Sequence, residues 1–190
     1  GVNITCTAQN FDFIGGSVGA ASGEALIAAV QNAINNKTPL ISFSSSGGQR
    51  MMESSIALMQ MPRTVIAINE LKKERLPYIV VFCNPTTGGV SASWAGISDI
   101  AIGEPKSTIG FAGRRVIQST IGSTESLPED FQTAESVLKH GRLDMIVERK
   151  NLRSTISNVI KILLKIEEKN INASDSNVVK IHDPLRKSTA

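Results

Sequence analysis

The chain has 190 residues, a formal net charge of +3 and 41% hydrophobic residues, which suits one domain around a single core. It has no run of 18 apolar residues, which excludes an ordinary membrane-spanning helix. An aromatic content of 4% offers no stacking platform for single-stranded nucleic acid. The basic excess lies in residues 139–190, which carry 11 of the 20 Lys and Arg residues, and we interpret it as solvated surface.

Apolar periodicity predicts alternating strands and helices, and therefore an α/β fold. The predicted strands are residues 2–13, 39–43, 78–83, 99–102, 108–111 and 143–147. The predicted helices are residues 22–35 with Ser22 as N-cap, 51–75, a segment after residue 89, 131–140 closed by Gly141, and 151–169. The core domain is expected to span residues 1–169, followed by a flexible polar tail at residues 170–190.

Three features allow predictions about packing. Pro62 is expected to kink or split the helix over residues 51–75. The methionines within this segment are predicted to fill gaps in the core, and they are Met51, Met52, Met59 and Met61. The apolar face of the last helix is assigned to the core rather than to an interface, through Ile156, Val159, Ile160 and Leu163.

The chain has few cysteines and histidines, the residues that usually bind zinc. Cys6 and Cys83 lie in apolar segments, which predicts buried, reduced thiols. Two cysteines and two histidines do not supply the ligands of an ordinary structural zinc site. We therefore predict no metal in this chain.

Two glycine pairs stand where a predicted strand passes into a helix. Gly88 and Gly89 follow the apolar run at residues 78–83, and Gly47 and Gly48 follow the strand at residues 39–43. Glycine lets a ligand approach the backbone closely, and the first amides of a helix have no intrahelical partner. Such turns can hold a developing oxyanion between N–H groups.

Side chains that could act as acid, base or nucleophile form no recognisable set. Ser91 and Ser93 lack the Gly-x-Ser-x-Gly pattern of a hydrolase, and His140 is predicted to end a helix. Glu53 and Asp99 are isolated carboxylates, for which capping is the alternative role. Oxyanion amides without a side-chain base suit chemistry in which the base comes from a cofactor.

Several motifs together resemble the carboxyltransferase β subunit of bacterial and plastid acetyl-CoA carboxylase. The resemblance covers residues 5–166 in order and spacing. The motifs are Phe11-x-Phe13-x-Gly-Gly-Ser17, Ser46-Gly-Gly-x-Arg-Met51, Leu58-Met-Gln-Met61, Pro85-Thr-Thr-Gly-Gly-Val-x-Ala-Ser93, Asp99-Ile, Glu104-Pro, Ile109-Gly-Phe-Ala-Gly-x-Arg-Val-Ile117 and Asp144-Met-Ile-Val147.

This resemblance implies a crotonase-like spiral of β-β-α units and carboxyl transfer from carboxybiotin to acetyl-CoA, which gives malonyl-CoA for fatty-acid synthesis. It makes Gly88 and Gly89 the main oxyanion donors, with Gly47 and Gly48 as the second pair. The CoA phosphates are expected to meet basic groups, for which the candidates are Arg50, Arg114 and Arg115. Which carbonyl each glycine pair serves stays open.

The family resemblance also implies partners and a location. It implies a carboxyltransferase α subunit, a separate biotin carboxyl carrier protein, an α2β2 assembly, and the cytoplasm or plastid stroma. Two departures stand out: the family's four-cysteine zinc ribbon is absent, and Gln49 stands where the family commonly has Ala. The chain begins late in the family pattern, which predicts a truncated β subunit. The alternatives are a non-catalytic assembly fragment, a crotonase-type hydratase or isomerase, and a ClpP-like serine protease.

Overall fold

The computed structural model describes residues 2–122 and 127–166. In this part of the chain the strands are β1 (Thr5–Ala8), β2 (Leu40–Ser46), β3 (Tyr78–Thr86), β4 (Ile100–Gly103) and β5 (Met145–Ile146). The helices are α1 (Ala20–Asn36), α2 (Ser54–Lys73), α3 (Arg114–Ile121), α4 (Ala134–Lys139) and α5 (Leu152–Leu163). The predicted tail at residues 170–190 lies outside the described residues.

The five strands form one parallel sheet in the order β1-β2-β3-β4-β5. Each strand is therefore placed beside the one that precedes it in the chain, as in a spiral of repeated units. The central pair is in register from Leu40 opposite Tyr78 to Ser44 opposite Phe82, and it resumes at Ser46 opposite Thr86 after an irregularity. All carboxyl ends lie at one edge of the sheet, so the turns after β1, β2 and β3 become neighbours.

The sheet is apolar on both faces, because successive strand residues point to opposite sides. One face packs against α1 and α2 through a cluster that includes Leu26, Val30, Leu40, Ile68, Leu71, Tyr78 and Val80. The other face packs against α5 through Ile41, Ile79, Val81, Ile102, Leu152, Ile156 and Ile160. The predicted core role of α5 is confirmed for Ile156 and Ile160, and Val159 packs partly buried against the same cluster, while Leu163 is 40% exposed.

The start of the chain differs from the prediction. The strand predicted over residues 2–13 ends at Ala8, because the Asn10 side chain accepts the Asp12 N–H (3.0 Å) and turns the backbone. Ser22 is not the N-cap of α1. Gly19 holds that position, and Ser22 lies in the first turn, where its Oγ accepts the Gly19 N–H at 2.9 Å.

Helix α2 is not split at Pro62, and most of the methionines assigned to the core lie at the protein surface. It continues through Pro62 as one helix of 20 residues, because its buried face runs past the proline through Ala57, Gln60, Thr64, Ile68 and Leu71. Of the four methionines assigned to the core, Met61 is partly buried, whereas Met51, Met52 and Met59 are exposed. Met51 and Met52 are 89% and 74% exposed, and Met59 is half exposed, because the opposite face of the helix is the one that meets α1 and the sheet.

Three further predictions are wrong in detail. Residues 88–94 form turns followed by a short 3-10 helix at Ala95–Ile97 rather than a regular helix. The strand predicted over residues 108–111 is reduced to isolated bridges. Cys6 is exposed rather than buried, since β1 is the edge strand of the sheet. In the described ranges, no helix combines the length and apolar character needed to cross a membrane.

Candidate active site

The two predicted glycine turns meet at the carboxyl edge of the sheet. Gly47 and Gly48 follow β2, and Gly88 and Gly89 follow β3, its direct neighbour. The Thr87 N–H donates to the Ser46 carbonyl oxygen at 2.9 Å and ties the two turns together. The loops that follow parallel strands commonly carry the ligand site of such a sheet.

The two turns approach so closely that side chains would not fit between them. Gly48 has φ +115° and Gly88 has φ +63°, a region that favours glycine. A Cβ on Gly48 would lie 3.2 Å from the Gly88 Cα, and a Cβ on Gly88 would lie 3.0 Å from both the Gly48 Cα and the Gly47 carbonyl oxygen. The glycines at these positions therefore serve the backbone shape of the site.

A third glycine pair, which the sequence showed only as part of the motif Phe11-x-Phe13-x-Gly-Gly-Ser17, supports the first turn. Gly15 and Gly16 follow β1, and the Gly15 carbonyl oxygen accepts the Gly47 N–H at 2.9 Å. A Cβ on Gly16 would lie 2.0 Å from the Ser45 carbonyl oxygen. The repeat of glycine pairs after three successive strands was the signal that could have identified this contact.

Three of the four predicted donor amides are engaged within the protein. Gly47 donates to Gly15, Gly48 donates to the Ser46 Oγ at 3.0 Å, and Gly88 donates to the Phe111 carbonyl oxygen at 2.8 Å. The Gly89 N–H has no acceptor among the described residues.

The backbone N–H of Gln49 is likewise without an acceptor in the described part of the chain. Val18 pairs with Gln49 in an isolated parallel bridge. The Val18 N–H donates to the Gly48 carbonyl oxygen, and the Arg50 N–H donates to the Val18 carbonyl oxygen. The Gln49 N–H therefore points away from Val18. Each glycine turn thus contributes at least one N–H without an acceptor among the described residues. The Gln49 donor could not be read from the glycine pattern.

The Gln49 side chain lies directly over Gly89. A Cβ on Gly89 would be 2.7 Å from both the Cγ and the Oε1 of Gln49. The Gln49 Nε2 donates to the Ala57 carbonyl oxygen, and its Oε1 is buried with no donor in the described ranges. The larger residue noted at this position in the sequence therefore reaches the second turn as well as the first.

Arg50 is held by structural contacts. Its guanidinium donates to the Glu53 Oε1 at 2.9 Å and to the Ser17 carbonyl oxygen at 2.9 Å, and its Nε donates to the Ser17 Oγ at 3.2 Å. Its guanidinium carbon also lies 6.0 Å from the centre of the Phe13 ring. Arg50, predicted as a candidate for the CoA phosphates, therefore forms a structural ion pair with Glu53.

The Glu53 carboxylate caps a helix. It accepts the Ala20 N–H at 2.6 Å, at the start of α1. This hydrogen bond, together with the Arg50 guanidinium, lowers the pKa of Glu53 below its ordinary value. Asp99 is similarly engaged: it accepts the Tyr78 N–H at 2.9 Å and pairs with the Lys72 ammonium at 2.7 Å. Neither carboxylate is placed as a free acid or base.

Arg114 and Arg115 occupy the first two positions of α3, after Gly113 as N-cap. Their side chains lie outside the described residues. The loop that precedes these arginines contacts the second glycine turn, because its Phe111 carbonyl oxygen accepts the Gly88 N–H. The start of α3 is thereby linked to the second glycine turn.

The residues of a serine hydrolase are not assembled. The Ser91 Oγ donates to the Gly110 carbonyl oxygen at 2.5 Å, and the Ser93 Oγ donates to the Gly89 carbonyl oxygen at 2.5 Å. The His140 Nδ1 lies 2.7 Å from the Ser136 carbonyl oxygen within its own helix end. Both hydroxyls thus brace the second glycine turn, and the serine protease alternative loses its nucleophile and base.

Exposed apolar side chains surround the glycine turns. We call this set the apolar rim, and it consists of Phe13, Ile14, Met51, Met52 and Phe111. Phe13 and Phe111 are 64% and 65% exposed, although residues of this size are usually buried. Exposed apolar surface next to a site marks a place where another molecule binds.

Comparison with known protein families agrees with the family resemblance of the sequence motifs. The carboxyl transferase domain model matches residues 1–189. The chain is 54% identical over 165 residues to the acetyl-coenzyme A carboxylase carboxyl transferase subunit beta of Bartonella quintana (strain Toulouse), which covers 87% of this chain and 53% of that protein. It is 55% identical over 164 residues to the subunit of the same name from Pelagibacter ubique (strain HTCC1062), covering 86% and 52%. The chain spans about half the length of these relatives.

Solved structures confirm the predicted crotonase-like architecture. A Pseudomonas malonate decarboxylase hetero-dimer aligns with a TM-score of 0.70 at 24% identity, over 83% of this chain and 69% of that chain. The transcarboxylase 12S structure with methylmalonyl-coenzyme A and methylmalonic acid bound aligns with a TM-score of 0.70 at 25% identity, over 81% and 30%. The similarity to the malonate decarboxylase structure, at 24% identity, supports the fold alone.

Proposed function

The chain belongs to the carboxyl transferase domain family, and on that premise we propose that it forms the β half of an acetyl-CoA carboxylase carboxyltransferase site. In this proposal a carboxyl group passes from carboxybiotin to acetyl-CoA and gives malonyl-CoA. The observation that carries the proposal is the pair of abutting glycine turns with amides that have no acceptor among the described residues, including those of Gln49 and Gly89.

The free amides fit the charge that develops in this reaction. When an acetyl thioester loses a methyl proton, negative charge moves to its carbonyl oxygen, and a ureido oxygen gains charge when its nitrogen gives up a carboxyl group. Backbone N–H groups that are already oriented stabilise such an oxygen without reorganisation. Gln49 and Gly89 supply the donors, while Gly47, Gly48 and Gly88 keep the backbone close enough for the oxygen to reach them.

The proton acceptor comes from outside this set of residues. Among the described residues, the three candidates are engaged elsewhere: Glu53 caps α1, Asp99 pairs with Lys72, and His140 bonds within its helix end. Carboxybiotin bound here would supply the carboxyl group and, after its release, a basic ring nitrogen for the methyl proton. The orphaned Gly89 N–H and Gln49 Oε1 offer a urea group both a donor and an acceptor.

We include the CoA phosphates in the proposal through Arg114 and Arg115, which begin α3 beside the second glycine turn. Arg50 contributes by holding the first turn through Ser17 and Glu53, and it is a weaker candidate for a phosphate ligand. Contacts of this kind weaken with salt. Acetyl-CoA affinity that is unchanged after all three arginines are neutralised would remove this part of the proposal.

The partners in this proposal are a carboxyltransferase α subunit and a biotin carboxyl carrier protein, in an α2β2 assembly in the cytoplasm or plastid stroma. The name of the relatives, subunit beta, supports a further subunit. The apolar rim supports it from the structure, because it lies beside the free amides and stays exposed in the single chain.

The test compares two glycines that tolerate a methyl group differently. In the chain reconstituted with an α subunit, Gly89→Ala keeps the backbone N–H but adds a methyl group beside it, which is expected to block the approach of the substrate oxygen. If this makes the donor ineffective, carboxyl transfer should fall about 10²–10³-fold, the effect of losing one oxyanion donor. The three atoms nearest to a Cβ there belong to the Gln49 side chain, which can shift, so we expect the fold to be retained. Gly113→Ala is the control, since a Cβ there meets nothing within 4 Å. Full activity of a folded Gly89→Ala enzyme would refute the proposal.

A further inference from the structure

Gln132 holds the loop that contacts the second glycine turn. Its carbonyl oxygen accepts the Ile109 N–H at 2.8 Å, and its Nε2 donates to the Ala112 carbonyl oxygen at 2.7 Å. Its side chain also lies against Gly110, where a Cβ would be 2.4 Å from both the Cδ and the Nε2 of Gln132. This one residue therefore contacts the loop on both sides of Phe111.

The same loop contacts the second glycine turn directly. The Phe111 carbonyl oxygen accepts the Gly88 N–H at 2.8 Å, and the Gly110 carbonyl oxygen accepts the Ser91 Oγ–H at 2.5 Å. The loop thus lies between Gln132 and the turn. A shift of the loop at its contacts with Gln132 would move the Phe111 carbonyl oxygen away from Gly88.

Two features of Gln132 are unfavourable for stability. Its backbone has φ +62°, a conformation that is strained for residues other than glycine. Its Oε1 is buried without a donor among the described residues, and because its Nε2 donates to a carbonyl, the unpaired atom is the oxygen. Backbone strain of this kind is concentrated at functional sites, and a buried unpaired acceptor costs free energy. Both features indicate that Gln132 serves the position of the loop rather than the stability of the fold.

We propose that Gln132 is a positioning residue for the second glycine turn. It holds the Phe111 carbonyl oxygen on the Gly88 N–H, which leaves the turn with the neighbouring Gly89 N–H, an amide without an acceptor in the described part of the chain. The proposal rests on the proposed function for the reaction that this turn serves. Without Gln132, Gly88 loses its acceptor and the amides of the turn lose the fixed direction on which oxyanion stabilisation depends.

Amide hydrogen exchange, followed by NMR, tests the positioning in the whole chain without a partner. Gln132→Asn shortens the side chain so that its amide no longer reaches Ala112, and asparagine adopts a positive φ more readily than most residues. We therefore expect the stability to be retained. The Gly88 amide should exchange at least about tenfold faster in this variant, the effect of losing one hydrogen bond, while the hydrogen-bonded amides of β3 exchange at their unchanged rates.

Arg75→Asn is the matched control. Arg75 also has a positive φ, of +55°, and it is exposed at the opposite edge of the sheet, before β3 begins. This variant is expected to leave exchange at Gly88 unchanged. Gln132→Met is a second test variant, since it keeps the length of the side chain and removes the donor, and it should accelerate exchange at Gly88 as Gln132→Asn does.

Carboxyl transfer by the chain reconstituted with an α subunit gives a second readout. Gln132→Asn is expected to lower kcat about ten- to hundredfold, as a small misplacement of a reacting geometry does, with little change in melting temperature. A merely structural role would instead lower the melting temperature together with kcat and would accelerate exchange throughout the sheet.

The outcomes separate this inference from the proposed function. It is overturned if exchange at Gly88 stays the same in both Gln132 variants, if Arg75→Asn accelerates it equally, or if faster exchange is accompanied by an unchanged kcat. Loss of protection across all amides of the sheet would assign Gln132 to the fold alone and overturn it too. If the unchanged chain with its α subunit gives no carboxyl transfer although exchange at Gly88 depends on Gln132, only the proposed function is refuted.

Discussion

Gly88 and Gly89 are neighbours in sequence, but adding a side chain is expected to have different effects at the two positions. Gly88 has φ +63°, and a Cβ there would meet the backbone of the first glycine turn, whereas the atoms nearest to a Cβ on Gly89 belong to the flexible Gln49 side chain. A substitution at residue 88 therefore tests folding, and one at residue 89 tests chemistry. Sequence reasoning treated the two as equivalent donors.

Gly88→Ala is expected to destabilise the chain by about 1–3 kcal/mol, because the residue must keep a left-handed backbone and its Cβ meets Gly47 and Gly48. Gly113→Ala, at φ −62°, should change stability by less than about 1 kcal/mol. Urea denaturation followed by circular dichroism measures both. Equal stability of the two variants would contradict the packing of one turn on the other.

The two cysteines are expected to differ in reactivity. Burial, aided by the Glu104 carboxylate, raises the pKa of Cys83 to about 12, so its thiol stays protonated and shielded at neutral pH. Cys6 is exposed on the edge strand, although partial burial raises its pKa as well. Iodoacetamide at about pH 8 should modify Cys6 well before Cys83, as peptide mass mapping would show. Equal labelling rates in the folded chain would contradict this environment for Cys83.

At the scale of elements, the start of α1 depends on a residue from the segment before α2. Glu53 accepts the Ala20 N–H and pairs with Arg50, so one carboxylate joins the first helix to the first glycine turn. Negative charge at a helix N-terminus also complements the helix dipole. The contact spans 33 residues in sequence, which places it beyond local sequence patterns.

This contact predicts a pH dependence. The folded pKa of Glu53 is below its ordinary value of 4.5, so its contribution to stability is complete above pH 4.5 and is lost as the pH falls towards the folded pKa. Glu53→Gln should therefore lower the melting temperature at pH 7, and the difference from the unchanged chain should shrink at pH 3. A difference that stays constant over this range would show that the charge of Glu53 does not matter.

The elements that sequence predicted best are those whose signals are local. Strand β3 and both glycine turns follow from a long apolar run that ends in glycine pairs. The helix expected after Gly89 fails because the Ser91 and Ser93 hydroxyls bond back to nearby carbonyls, which competes with regular helix. Likewise, the choice of free amides depends on Gly15 and Phe111, which come from other loops, so the glycine pattern alone cannot supply it.

At the scale of the whole molecule, the methionines once assigned to the core become part of the surface. Met51 and Met52 directly follow the first glycine turn, and their exposure makes an apolar approach to the free amides. Methionine adapts its shape to different partners. The amides and the surface around them thus lie on one side of the fold, where a second chain would cover both.

Replacing both Met51 and Met52 with Ser is therefore expected to weaken association with the α subunit without lowering the stability of the isolated chain. The side chains are exposed, so their removal takes little apolar area out of the folded core. Sedimentation equilibrium of the mixed subunits measures association, and thermal unfolding measures stability. Met59→Ser, on the outer face of α2, is the control for loss of an exposed methionine away from the rim. An unchanged dissociation constant for the double variant would exclude the apolar rim as the interface.

The isolated chain should be inactive, because it offers donors for an oxyanion, whereas the candidate acids, bases and nucleophiles Glu53, Asp99, His140, Ser91 and Ser93 are engaged in other contacts. Carboxyl transfer from carboxybiotin to acetyl-CoA is expected only after an α subunit is added, together with a change in solution mass towards a hetero-oligomer. Light scattering of the separate and mixed subunits, with a malonyl-CoA assay of the same samples, follows both events. A strict monomer that produces malonyl-CoA by itself would show that the site is complete in one chain, and the apolar rim would then need another explanation.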